Sequence, residues 1–161
     1  MAALVLVSGV LLGIAHLHPS LSFLAWVGVA VLAGLLSTDR SRGRKAAIAY
    51  AATALSVFIS QSWLSGSFER YGGHLLDAGA WSGAVWTGIW ALAAAVFPAP
   101  IRVFPLLVVI WFRPSIPIRW WLPGAWLVGE WLCRLQGFHL GELLMSQGQE
   151  PLVLRSVGLI G

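Results

Sequence analysis

The sequence predicts an all-α, polytopic transmembrane helical bundle, with about five spans, a re-entrant or interfacial segment and an incomplete last helix. Two observations carry that expectation. Of 161 residues, 58% are apolar and only 10% are charged, with a mean hydropathy of +0.82. A soluble domain carries about 25% charged residues, so this chain lacks the polar groups to cover a water-facing surface. The apolar residues also fall in runs of roughly span length, separated by short polar breaks. These features exclude a soluble enzyme, a disordered chain and a nucleic-acid partner. The net charge of +4 is spread thinly among apolar runs, as topology determinants are. Residues 1–161 read as a single transmembrane domain, with no soluble catalytic domain in the chain.

The first span is expected over residues 2–17. No basic cluster precedes it and no small-residue cleavage site follows, so it reads as a retained helix and not a signal peptide. Pro19 breaks it, and residues 21–36 make the second span. Residues 38–45, Thr-Asp-Arg-Ser-Arg-Gly-Arg-Lys, form the one dense charge cluster. The third span covers 46–64, a polar stretch occupies 65–80, and the fourth covers 81–97, ended by Pro98 and Pro100. Residues 103–112 are strongly apolar but hold Pro105 and number too few for about 30 Å of hydrocarbon. With Pro114, Pro117 and Pro123 close behind, 103–119 reads as the re-entrant or interfacial segment. The fifth span is then 120–135, and residues 152–161 begin a run too short to finish a sixth.

The basic residues set the orientation. With the amino terminus inside, the inner side receives Arg40, Arg42, Arg44, Lys45, Arg102, Arg113 and Arg119, against Asp39 alone. The outer side receives Arg70, Arg134 and Arg155, against Glu69, Asp77, Glu130, Glu142 and Glu150. Positive residues gather on the cytoplasmic side of membrane proteins, so the expected location is a plasma membrane with a cytoplasmic amino terminus.

Few groups can carry chemistry. Glu130 is the most informative, because an intramembrane carboxylate is costly unless paired, protonated or solvated. Arg134, four residues on, shares its helix face. The pair either fixes the outer end of the fifth helix or forms a polar notch for a lipid headgroup or a partner domain. The chain has ten tryptophans. Trp63 and Trp81 are expected as interfacial anchors, and Trp86 and Trp90 share one helix face. Trp120, Trp121, Trp126 and Trp131 crowd the fifth span, where they either pack against neighbouring helices or line a groove for lipid acyl chains. Cys133 is the single cysteine. With no base or cation suitably placed, it reads as a small buried apolar residue, not a nucleophile. His16 and His18 have no third ligand in sight, so neither a metal nor another cofactor is expected. Gly9 and Gly13 form a small-xxx-small pair, as do Gly79 and Gly83, at a frequency near chance for a chain with 18 glycines.

The stretch Pro123-Gly-Ala-Trp-Leu-Val-Gly-Glu-Trp-Leu-Cys-Arg134, with Phe138 and Leu144-Met-Ser-Gln147 after it, resembles the membrane part of bacterial apolipoprotein N-acyltransferase. His18-Pro19, Leu24-Ala-Trp-Val27, the basic loop at 40–45 and Ser60-Gln-Ser-Trp63 before Gly72-Gly73 are also similar to that family. The match departs at His139-Leu140, where the family has proline-tryptophan, and at Leu144-Met145, where it has glycine-tyrosine. The resemblance implies a bacterial inner-membrane protein of lipoprotein biosynthesis. The family moves an acyl chain from a phospholipid to the amino-terminal cysteine of lipoproteins, through a Glu-Lys-Cys triad on a nitrilase-like domain. That domain is absent from this sequence, and the sole lysine, Lys45, falls in the inner loop, so no catalytic residue carries over and enzymatic activity is left open. The implied role is a membrane module, inactive alone. The alternative is a non-catalytic membrane subunit of a larger complex that reuses the scaffold. Candidate lipid or partner contacts are Glu130, Arg134, Trp126 and Trp131, to which the resemblance adds Ser146 and Gln147. The expected partners are membrane lipids, and a nitrilase-like catalytic domain or other membrane subunits.

Overall fold

A computed structural model describes residues 1–17, 19–38, 41–62, 83–112 and 116–135. Within them the chain forms six α-helices and one short 3-10 turn, with no strand among the described residues. The helices are α1 (Ala2–Leu17), α2 (Phe23–Thr38), α3 (Arg42–Ser60), α4 (Gly83–Val96), α5 (Pro98–Phe112) and α6 (Ile118–Leu135).

The ends of the first three helices have local causes. Pro19, in the 3-10 turn Pro19–Leu21, lacks an amide proton and forces the preceding residue away from helical geometry, so α1 stops at Leu17. Ser41 is extended (φ −82, ψ 122) and its carbonyl accepts the Lys45 amide at 3.0 Å, the first bond of α3. The α3 spiral closes with the Gln61 amide on the Val57 carbonyl and the Ser62 amide on Ile59.

The main departure from expectation lies after residue 97. No re-entrant segment occupies residues 103–112. Instead α5 resumes the helix one residue after α4 ends, and the Phe97 amide still bonds the Ala93 carbonyl at 3.0 Å. Together Val85–Phe112 make a 28-residue apolar stretch. Pro98 and Pro100 are tolerated because they stand in the first turn of α5, where amide donors have no intrahelical partner anyway. Only Pro105 and, in α6, Pro123 interrupt a helix interior. Val85–Phe112 is also the one helical stretch among the described residues that is long and apolar enough to cross a membrane by length and composition. Helices α1 and α2 are apolar but have 16 residues each.

Contacts between helices fix their directions. Gly9 lies against Ala52 and Leu55, and Gly13 against Ser56 and Ile59, so α1 and α3 run parallel. Gly28 of α2 abuts Leu12, and the Ser8 hydroxyl donates to the Gly28 carbonyl at 2.9 Å. Helix α4 runs antiparallel to α3: Trp90 Nε1 donates to the Phe58 carbonyl at 3.4 Å and Tyr50 Oη to Ala95 at 2.7 Å. Because α5 continues α4, it too opposes α3. Gly129 packs on the Arg102 backbone and Cys133 on Pro98, so α6 returns antiparallel to α5. The starts of α1, α3 and α6 and the ends of α2 and α5 therefore share one end of the bundle.

The core runs through α1, α2, α3, α5 and α6, with Leu12, Leu32, Leu36, Ala49, Ala52, Leu106, Leu122 and Trp126 closed to solvent. A smaller cluster of Val57, Trp90 and Ala94 joins α3 to α4. Trp86 and Trp90, expected on one face, are both buried.

Candidate functional site, a buried ionisable cluster

Helix α6 buries one face and exposes the other. Residues Leu122, Ala125, Trp126, Gly129, Glu130 and Cys133 turn inward, while Trp120, Leu127, Val128, Trp131 and Leu135 turn outward. A spacing of three and four residues makes these two opposite stripes of one helix. Glu130 is therefore an inward residue, 3% exposed.

Three elements bring polar groups to it. From its own helix, one turn earlier, Trp126 donates its indole Nε1–H to Glu130 Oε1 at 2.7 Å. From the last turn of α1, His16 places Nε2 3.9 Å from the same oxygen, with the imidazole 1% exposed. That separation is too long for a direct hydrogen bond. From α5 comes Arg102, 1% exposed and close enough to His16 for their charges to interact. The cluster thus joins α1 to the consecutive helices α5 and α6, far from it in sequence.

Hydrogen-bond chemistry constrains the histidine. Its Nδ1 is bonded to the Leu12 carbonyl one turn back. A carbonyl only accepts, so Nδ1 carries a proton and Nε2 is the nitrogen that faces Glu130. The permanent guanidinium of Arg102 stands beside the two groups.

Gly129 sets the depth of the site. A Cβ there would stand 2.0 Å from the Arg102 carbonyl oxygen, a backbone atom that no rotamer change moves aside. Only glycine lets α5 and α6 approach this closely, and the neighbouring residues Arg102 and Glu130 are carried into the core by that approach. Cys133, one turn beyond Gly129, is 1% exposed and its thiol points to the Pro98 carbonyl at 3.5 Å. Burial in apolar surroundings suits a small packing residue.

Several sequence-derived candidates land elsewhere. Trp126 is 0% exposed and donates to Glu130. Trp131 is 57% exposed on the outward stripe. The side chain of Arg134, and with it the expected Glu130–Arg134 pair, lies outside the described residues, as do Trp63, Trp81, Gly79, Ser146 and Gln147. Arg102 requires a correction: it is not a loop charge on the inner side but a buried residue within α5. Sequence reading also missed His16 as a partner of Glu130. The signal for Arg102 was present, since Ala99, Arg102, Val103, Leu106 and Ile110 repeat at helical spacing and all are buried. For His16 no local signal exists, because its partner is more than a hundred residues away.

Beside the cluster, Pro100, Ile101, Phe104 and Leu132 line an open apolar groove of about 400 Å³ between α5 and α6. Among the described residues no three histidine, cysteine or acidic side chains gather as a metal site would require. Against this background the family comparison is decisive: the model of the apolipoprotein N-acyltransferase N-terminal domain matches residues 8–161. The chain belongs to that family. No curated protein and no solved structure matches it. The apolipoprotein N-acyltransferase N-terminal domain is membrane-associated, and here its match takes in α2 to α6 whole together with His16, Arg102, Trp126 and Glu130.

Proposed function

We propose that this chain is the membrane-spanning module of an apolipoprotein N-acyltransferase-like protein of the bacterial inner membrane, with its amino terminus in the cytoplasm. The observation that carries the reading is the large apolar surface the bundle exposes, with polar side chains also buried. Ser8, Ser22, Thr53, Ser56, Arg102 and Glu130 are buried, while Leu92, Phe97, Phe112, Trp120 and Trp131 are each more than half exposed. Hydrocarbon accommodates this arrangement: the exposed apolar side chains face lipid, and the buried Ser8 and Thr53 hydroxyls donate to backbone carbonyls. The five spans are α1, α2, α3, the joined α4–α5 and α6, which returns the chain to the outer side after residue 135. There the module holds the family's nitrilase-like catalytic domain. The groove beside Ile101 and Leu132 offers an acyl chain a lateral resting place. By itself the module transfers no acyl group.

Reporter fusions test the reading directly. A fusion at Ser41 reports cytoplasm, and one at Gly73 reports the outer side. The opposite pattern at both positions overturns the orientation. Purified chain given phospholipid and a diacylated lipopeptide yields no triacylated product. A Cys133-bound acyl thioester, seen by intact mass, would overturn the assignment of that thiol to packing.

A further inference from the structure

Two prolines weaken the backbone where α4 passes into α5. Pro98 and Pro100 have no amide proton, so the carbonyls of Ala94 and Val96, four residues earlier, receive no helical bond from them. The ladder across Phe97 therefore lacks two rungs, an identifiable cause of bending. The two sides of the joint are held unequally. Helix α5 is fixed: Ala99, Arg102, Val103 and Leu106 are buried, the Arg102 backbone lies hard against Gly129, and the Pro98 carbonyl receives the Cys133 thiol at 3.5 Å. Helix α4 packs chiefly on α3 and α5, and the cluster of Val57, Trp90 and Ala94 that joins it to α3 is small. Much of it faces outward, with Leu92 and Val96, and Phe97 at its end, each more than half exposed.

Two side-chain bonds tie α4 to α3. Trp90 Nε1 donates to the Phe58 carbonyl at 3.4 Å, longer than is usual for such a bond. The Tyr50 hydroxyl donates to the Ala95 carbonyl at 2.7 Å. Ala95 lies between the two residues whose carbonyls the prolines deprive of amides, so the shorter bond falls where the ladder is broken. In hydrocarbon neither the hydroxyl nor the carbonyl has water to turn to, which favours the bonded state.

We propose that the α4–α5 joint is a hinge on which α4 swings against a fixed α5, and that the Tyr50 hydroxyl is the latch holding α4 on α3. Released, α4 uncovers the face of α3 that carries Val57 and Phe58. The strength of the latch rests on the reading that the chain spans a membrane; the hinge rests on the prolines and the packing.

The full chain, in lipid nanodiscs and carrying Cys133→Ser to keep a donor at Pro98, is spin-labelled at exposed positions. Leu92→Cys with Phe112→Cys spans the joint, and Phe112→Cys with Leu135→Cys reports α5 against α6. Pulsed dipolar spectroscopy of this parent should give one dominant distance across the joint and a minor second one. Tyr50→Phe should raise the population of the second distance about threefold, the worth of one interhelical hydrogen bond in a membrane, and leave the α5–α6 pair unchanged. Pro98→Ala with Pro100→Ala restores both amides and should remove the second distance, even together with Tyr50→Phe. An unchanged distribution in Tyr50→Phe, a second distance that survives the two alanines, or equal broadening of both label pairs overturns the proposal. If Tyr50→Phe fails to fold, the two alanines in the parent decide: loss of the minor distance supports the hinge, and no change refutes it. Resistance of the chain to alkaline extraction from membranes reports the spanning reading independently of these outcomes.

Discussion

Two helix contacts in this bundle are both seamed by glycine, and they behave differently. Where α1 meets α3, a Cβ on Gly13 would press on the Ile59 side chain at 2.6 Å, and one on Gly9 would meet Leu55 and the Ala52 carbonyl at 2.9 Å. The neighbours there include the Cβ atoms of Ile59 and Leu55, which are tied to the α3 backbone, so this contact too is close. Where α5 meets α6, the neighbour of Gly129 is the Arg102 carbonyl oxygen at 2.0 Å, and the residues on either side are ionisable and buried. The first contact is close apolar packing. The second is closer and encloses charge, and the difference teaches where this fold concentrates its specificity.

The largest effect should come from the enclosed charge. Glu130→Leu removes the acceptor of the Trp126 indole and the only described acid near His16 and Arg102. Breaking a buried ionic set in this way costs about 3–5 kcal/mol. Thermal unfolding in detergent should show the loss, and Glu130→Leu combined with Arg102→Met should cost less than the sum of the single changes. Strict additivity would show that the two residues do not share a network.

Next in size is the contrast between the glycines. Gly129→Ala should destabilise by about 3 kcal/mol, the upper range of overpacking, and Gly13→Ala by about 1 kcal/mol. Equal losses would show that the closer approach to the Arg102 backbone adds nothing. Trp126→Phe deletes the donor to Glu130 and leaves a small cavity where the indole's second ring stood, so it should cost about 2 kcal/mol. The smallest loss belongs to the dry side: Ser8→Ala removes one interhelical hydroxyl bond, worth about 0.6 kcal/mol within a membrane. A Ser8→Ala loss equal to that of Trp126→Phe would mean that polar contacts matter alike in both regions.

The same contrast explains what the sequence made legible. Span-length apolar runs and Pro19 located α1 to the residue and α2 to within two. The start of α3 came earlier than expected because Arg42, Arg44 and Lys45 are helical, although their charge suggested a loop. Residues 98–119 misled because proline density was read as a uniform obstacle, whereas a proline in a first helical turn costs little. Glu130 stood out since an intramembrane carboxylate is expensive wherever it lies. Its surroundings did not, because a contact between α1 and α6 leaves no trace in local spacing. The Gly9–Gly13 pair was indistinguishable from chance in composition and acquired meaning only once Leu55 and Ile59 were found against it.

The joint at Phe97 has a consequence for the surrounding bilayer. Twenty-eight helical residues from Val85 to Phe112 extend about 42 Å at 1.5 Å each, while the 16 residues of α1 or α2 extend only about 24 Å. Hydrocarbon about 30 Å thick suits neither length. The long stretch has to lean or bend, and the prolines after Phe97 give it a place to do so. As spans of the proposed module, the two short helices would draw the headgroups toward the midplane. Helix α4 packs chiefly on α3 and α5, and the short pair lies on α3 and α6. If the chain spans the membrane as proposed, lipid meets a surface of uneven height, thinned beside α1 and α2 and full beside α4, and acyl chains of different length sort themselves around it accordingly.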